Sequence, residues 1–456
     1  MNTNSLWSLR LGFSNKESQQ IEKLGIATFL EYSFASKTDN TLPDFLKDSP
    51  KSIEELKSIR ENIKNANEEE KKAILKDQIK NSIALQHWWL HKMQNEKFPL
   101  REKMTCFWHN HFVSTLQKVK VTYWVYQHNM ILRENAFGNF KDITKKIIQT
   151  NAMVRYLDNV DNKKGKLNEN LSRELLELFT LGIDNYTEED VKNGAKALAG
   201  LHLGNEKAIY RPRLEDNDTI TYLGKTGKFK VEDLIDIIFE QKNTSYLITE
   251  KILKWFIYDT PPKEIIQYYG DYFKSVNFEI KPLLLKIFIE EYSKNISGCK
   301  IKDPLVFSLQ LLEELQIKNT KNDLLLQFLK QQGMDLFNQP NVKGWTGGNH
   351  WLTSQIYLQR NNASDFLTNG NAILGRRKKE TQEKLTEPKI NFNSNGNNLT
   401  IIKELTDRLL FNVEESIQKD MESILKYDFN PKSENATAAV LRLFNYITKL
   451  PEFQII

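Results

Sequence analysis

The sequence predicts a mainly α protein, a multi-helix single domain spanning 1–456 with a small β hairpin insertion, and three observations carry that expectation. Glycine and proline are scarce, at 19 and 12 among 456 residues; average usage is roughly 7% and 5%, and the deficit disfavours loop-rich β architectures. Apolar residues recur at helical spacing in segment after segment, the signature of helices with one face inward. The helical period lapses at 201–230, where two β-prone runs are separated by Asp/Asn-rich turn residues.

The elements follow in order. At Asn67 the pattern turns helical: Asn67 can cap, Glu68, Glu69 and Glu70 suit the positive end of the dipole, and Ile79, Ile83 and Leu90 recur at helical spacing until Pro99. A second helix starts near Leu100 and carries Met104, Phe107, Trp108 and His111, and an aromatic helix with Tyr123, Trp124 and Tyr126 follows. Residues 171–181 form a further helix, entered through Asn168 or Asn170 and stopped by Gly182, a residue that tolerates positive φ. Thr187 and Asp190 have capping-box spacing for a helix reaching Gly200. The runs 208–210 and 219–223 read as one hairpin, and helical patterns resume over 231–239, 247–258, 281–292, 304–315 and 324–328. After the Gly/Trp loop 343–351 comes the low-complexity stretch 376–398, basic at Arg376, Arg377, Lys378 and Lys379 and Asn-rich at its end. It is expected to be a surface loop within the domain, because 401–410 and 436–450 again read as amphipathic helices.

Composition excludes several function classes. The 64 Lys+Arg against 59 Asp+Glu leave a net charge of +5, too small and too dispersed for a nucleic-acid footprint. Cys106 and Cys299 are the only cysteines, which removes a disulfide scaffold and a cysteine-based zinc cluster. The longest mostly apolar runs, such as 282–289, fall short of the roughly 18 residues that span a bilayer. The first residues lack the basic start and apolar run of a secretory signal, so the expected localisation is cytoplasmic or exported by another route. Leu223 to Gly227 resembles the end of a phosphate-binding loop, but Thr219 stands where that loop requires its first glycine.

Candidate chemistry concentrates in three places. His87 and His91 share a helix face, but no glutamate follows His87, so the catalytic base of a zinc-peptidase helix is missing and the pair reads as partly exposed. His109 and His111 lie amid Phe107, Trp108 and Phe112, where an imidazole must find partners. Glu102, Cys106 and His109 share one face, and His111 points about 200° away from His109. In 168–179, Asn170, Arg173, Glu174 and Glu177 form a narrow polar stripe on a helix otherwise covered by leucine and phenylalanine. Such a stripe faces either a satisfied internal network or a polar cleft, since unpaired buried charges are costly. The loop ending in Asn349-His350-Trp351 supplies glycines that let backbone approach a ligand and two indoles that can stack on a sugar face or fill core.

These blocks carry a family resemblance. Trp88-Trp89, Pro99 to Met104 and Phe107 to Phe112 resemble the first signature of the bacterial family catalogued as domain of unknown function 1800. Asn168-Glu169-Asn170, Arg173 to Gly182 and Tyr186 to Val191 resemble the second, and Gly224 to Gly227 and Lys343 to Gly348 resemble two further blocks. Arg10 to Ser14 matches an N-terminal block, with Ser14 in place of the usual second glycine, and Ser172 stands where the family commonly has alanine. The resemblance implies no established activity. It does imply a genomic neighbourhood shared with a second family of alkaline-phosphatase or sulfatase-like fold, frequently exported.

Two readings of function stand. In the first, the chain is expected to be a hydrolase-like, glycan-directed enzyme with a His/Glu/Arg polar cleft between the two signature helices. Its catalytic residues would be Glu174, Glu177, Arg173 and His109, and its substrate-binding residues Asn168, Asn170, Trp345, Trp351 and His350. A divalent metal, held by His111, His109, Glu102 and Glu169, would assist. In the second, it is a non-catalytic partner or chaperone of a neighbouring sulfatase-like or phosphatase-like protein, and the same polar residues only lock the core.

Overall fold

Asn67 does cap, and its reciprocal hydrogen bonds with Glu70 open the longest helix, Glu68–Asn95. The computed structural model that shows this describes residues 1–294, 296–318, 320–375 and 387–456. Within them the chain is overwhelmingly helical, and helices over Leu100–His111, Thr122–Glu134, Glu188–Leu198, Val231–Glu240, Asn243–Phe256, Ile280–Lys294, Pro304–Glu314, Asn322–Gln331, Asn398–Leu409 and Ala436–Thr448 stand where periodicity places them. Thr187 and Asp190 form the expected capping box. Helices at Thr3–Leu11, Ile26–Ala35, Lys263–Ser275 and Ser354–Thr368 were not read from the sequence. Among the described residues, no helix is long and apolar enough to cross a membrane. The expected surface loop 376–398 falls outside the described residues over 376–386, the basic tetrad included; from 387 the chain runs without regular structure to the helix at Asn398.

The β insertion differs from a single hairpin. Both β-prone runs are strands, but Ile209–Tyr210 pairs with Leu201–His202, and Ile220–Tyr222 pairs with Lys225–Gly227. Two separate antiparallel ladders result. The second closes through Leu223 and Gly224, both at positive φ, as a two-residue turn between right-twisted strands requires. The Gly224 block is therefore a hairpin turn.

The two signature helices meet in the interior. Phe112, at the end of the first, packs its ring 5.2 Å from that of Phe179 in the second. The first, Leu100–His111, has a buried glutamate, Glu102, whose carboxylate receives Arg133 through Nε at 2.7 Å and Nη2 at 2.9 Å. The indole of Trp89 donates to the same carboxylate at 3.1 Å. Arg133 continues to Asn129 Oδ1 at 2.6 Å, and Asn129 Nδ2 to His109 Nδ1 at 3.4 Å. This chain of buried polar contacts ties three helices together, Glu68–Asn95, Leu100–His111 and Thr122–Glu134.

The second signature helix is regular only over Asn170–Glu174 and continues as a π-helix over Leu175–Thr180. Short π segments recur at functional sites, and they shift the facing of every side chain after them. Ser172, the departure from the family pattern, donates to Val191 O at 2.8 Å and faces Gly194, where a Cβ would come within 2.2 Å of its Oγ.

Removing one member of a buried ion pair strands the other in low dielectric, at a cost of about 3–5 kcal/mol. Arg133→Met should therefore lower the unfolding free energy by that amount in urea titration, and adding Glu102→Gln should restore part of it. An Arg133→Met loss under about 1 kcal/mol would show that Glu102 is not confined as described.

Candidate functional site

Neutral imidazole has one donor and one acceptor nitrogen, and both signature histidines use both. His109 is fully buried; its Nε2 donates to Ser114 O at 3.0 Å, and its Nδ1 accepts from Asn129. His111 Nε2 donates to Phe179 O at 3.1 Å, which leaves Nδ1 to accept from Lys251 Nζ at 3.2 Å. Burial holds the pKa of each well below the ordinary imidazole value. Both are neutral near pH 7, with fixed tautomers.

The partners of His111 follow from helix termination. The last carbonyls of any helix lack intrahelical donors and carry the negative end of its dipole. Here the π-helix ends at Thr180, and its final carbonyls are taken by side chains from elsewhere: Phe179 O by His111, Leu178 O by Lys251 Nζ at 2.6 Å. Burial lowers the Lys251 ammonium to about 8. Two of its three donor directions are occupied, and Lys251 and His111 both line a cavity of about 270 Å³.

The far wall of that cavity is the Gly/Trp loop. Asn110, between the two histidines, accepts from Trp345 N–H at 2.6 Å through its side-chain oxygen. Gly344 sits directly against it at φ +82°, where a Cβ would be 2.4 Å from Asn110 Oδ1; only glycine permits both the conformation and the approach. Trp345 and Trp351 are buried in the wall, and Trp255 lines the same cavity. The indole N–H groups of Trp255 and Trp345 have no hydrogen-bond partner among the described residues. Lys254, held by Glu250 at 2.6 Å, Lys300 and Lys343 complete a cationic lining, in which the one carboxylate among the described residues, Asp259, already accepts from Ile301 N–H at 2.9 Å and faces Lys300 at 3.5 Å.

The expected site residues divide. His111, Trp345 and Trp351 line the cavity. Glu174 and Glu177 are half-buried on the neighbouring helix; Tyr186 OH donates to Glu177 at 2.9 Å. Among the described residues no hydrogen bond or ion pair reaches the Glu174 carboxylate, and its pKa is raised by burial and by Glu177, with Lys343 and Arg173 opposing. Arg173 turns away, gripping Glu188 at 2.7 and 2.8 Å and Glu169 at 3.1 Å, so it fastens the start of the next helix. Asn168 accepts from Asn170 N–H at 3.0 Å and serves as a local cap, while Asn170 and His350 face solvent.

The expected metal set does not assemble. Glu102 is held by Arg133, Glu169 by Arg173, His109 by Asn129 and Ser114, and His111 by Lys251 and Phe179. Among the described residues no group of three or more His, Cys, Asp or Glu side chains converges. His87, as read, is a surface histidine, paired with Asp323 at 2.7 Å. Asn110, Lys251 and Trp255 were missed. Asn110 lay inside a recognised block, but Lys251 and Trp255 are ordinary members of an amphipathic period, distinguishable only once Asn243–Phe256 is seen to pack on the π-helix.

A family model described as "Protein of unknown function (DUF1800)" matches residues 5–455, and the chain belongs to that family. No curated protein and no solved structure matches it.

A third buried histidine, His128, donates from Nε2 to Phe112 O at 2.8 Å, and burial pushes it down to about 4. Unfolded, it titrates near 6.5. Between these values only the unfolded chain takes up the proton, so its contribution is complete above pH 6.5 and is lost as pH falls toward 4. The stability advantage of wild type over His128→Gln should shrink by roughly 1.4 kcal/mol per pH unit below pH 6.5. A pH-independent difference in urea midpoints would contradict it.

Proposed function

We propose that this member of the family is a hydrolase-like enzyme directed at acidic glycans, with the cavity between the first signature helix and the Gly/Trp loop as its binding site. One observation carries the reading: the lining offers hydrogen-bond donors and cations in excess of acceptors. Among the described residues the Trp255 and Trp345 N–H groups lack partners, Lys251 and Lys343 are among the lining residues, and the one carboxylate of the lining, Asp259, is already engaged. A ligand rich in acceptors, such as a sulfated or carboxylated sugar, complements that wall, and the indole faces suit the apolar side of a pyranose.

In this reading Lys251 binds the anionic group, oriented by His111 and the π-helix carbonyl. Glu174 stands outside that lining, on the neighbouring helix; its electrostatic partner Lys343 lines the cavity, and burial beside Glu177 raises its pKa, which recommends it as the proton donor. Glu177, one helical turn on, is fixed by Tyr186. Arg173, His109, Asn168, Asn170 and His350 have no part in ligand contact. The second reading, a non-catalytic partner protein, draws on one feature, the exposed stripe of Leu75, Ile79 and Ile83 along Glu68–Asn95.

Calorimetric titration with a sulfated oligosaccharide and its uncharged counterpart separates the two. The enzyme reading expects preference for the charged form, weakened as pH rises through about 8 with loss of the Lys251 proton. Lys251→Met should weaken binding about tenfold or more, the worth of a charge-assisted hydrogen bond. Glu174→Gln should keep binding and lose release of reducing ends. Equal affinity for both saccharides, or none for either, would sink the reading.

A further inference from the structure

A second cavity, of about 760 Å³, lies away from the first and shares no lining residue with it. That volume is within the roughly 300–1,000 Å³ of small-molecule sites. Its walls come from five stretches of chain: the helices Ile53–Asn65 and Asn151–Tyr156, the short turn of helix Asn159–Asp161, the strand Leu201–His202, and residues 211–214. Ile53, Leu56, Val160, Leu203 and Leu214 make it apolar, whereas Lys57, Arg155, Arg211 and Arg213 surround it with positive charge. Among the described residues Asp161 is the one carboxylate in the lining. Among the described residues none of the four cations is in an ion pair.

The wall is built to hold this arrangement. Gly200, at φ +81°, lets residues 214 and 215 approach so closely that a Cβ would meet Glu215 N at 2.9 Å and Leu214 C at 3.0 Å. Arg211 N–H donates to Gly200 O at 2.8 Å, and Leu214 N–H to Arg211 O at 2.8 Å, closing a turn with Pro212 at its second position, where fixed φ favours turn formation. The turn presents Arg211 and Arg213 while Leu214 stays inward. Arg211 Nη2 is steadied by Leu203 O at 3.0 Å. Asn159 donates to Leu198 O at 3.1 Å and Leu201 O at 2.7 Å, which fixes the strand against the short helical turn. His202 Nδ1 is buried and without a hydrogen-bond partner among the described residues.

We propose that this cavity is a binding site for an anionic amphiphile, a molecule with an apolar body and a single carboxylate, phosphate or sulfate head. The apolar walls take the body, and the head is met by Arg155, Arg211 and Arg213. A polar anion alone would leave the apolar wall in water, and a neutral apolar molecule would leave four cations facing an uncharged surface. Only a ligand with both features satisfies both parts of the lining. Guanidinium groups suit such a head because their planar forks hold two oxygens at once.

The test uses decanoate and decanol, matched in chain length and different in charge, titrated calorimetrically into the full chain below their aggregation concentrations. Decanoate is expected to bind with one-to-one stoichiometry and at least tenfold more tightly than decanol. The double variant Arg155→Gln, Arg213→Gln should erase that preference without changing the thermal midpoint. If the double variant does not fold, Lys57→Gln, on an exposed helix surface, should reduce the preference by several-fold. Decyl phosphate and decyl sulfate in place of decanoate rank the head groups. Lys251→Met should leave decanoate binding unchanged, so this result stands apart from the saccharide cavity. Equal affinity for acid and alcohol, failure of decanoate to bind, or a charge preference that survives the arginine substitutions would overturn the proposal.

Discussion

The fork between Glu102 and Arg133 is the contact on which the site depends. Both carboxylate oxygens are engaged in it, Trp89 caps the same group, and Arg133 passes the constraint through Asn129 to His109. A helix held this way at Glu102 and His109 has no rotational freedom left. The next two residues inherit that orientation: Asn110 meets the Gly/Trp loop, and His111 meets the π-helix. Buried ion pairs add little net stability over an apolar equivalent, but they penalise every arrangement that separates them. Here that selectivity fixes which way two adjacent side chains point.

The second constraint is the unfinished end of the π-helix. Carbonyls that a helix cannot satisfy must be met by something, and Lys251 and His111 meet them. A lysine drawn to the negative end of a helix and largely buried there becomes a cation with a lowered pKa at a cavity wall. Structural need and chemical potential coincide in one residue. The same logic reassigns Arg173, whose solvent-screened pairing with Glu188 and Glu169 adds little stability and belongs to helix packing.

Much of the fold was legible because helices announce themselves locally. Asn67 caps and Thr187 forms its capping box with Asp190, both as read, and the structure adds Glu70 as the reciprocal partner of Asn67. Pairing of strands is not local: the runs at 209–210 and 220–222 were recognisable, but their partners lay in less β-prone neighbours, Leu201–His202 and Lys225–Gly227. For the site, the two signature helices and the Gly/Trp loop were found, whereas their inner residues were not sorted. A stripe computed at α-helical pitch treats Arg173, Glu174 and Glu177 alike, yet the switch to a π-helix at Leu175 comes between them. Lys251 is some seventy positions from the carbonyl it caps, and nothing in its own neighbourhood marks it.

The wall formed by Lys251, His111 and the Gly/Trp loop is proposed to receive an acceptor-rich ligand. Indole N–H resonances of nitrogen-15-labelled protein report on it directly, since two of the eight tryptophans line that wall with N–H groups that have no partner among the described residues. Addition of a sulfated oligosaccharide should move the Trp255 and Trp345 signals, identified by substitution, while that of Trp108, bonded to Ala136 O at 3.0 Å, stays fixed. Signals from Trp255 and Trp345 that do not move at saturating ligand would contradict the account.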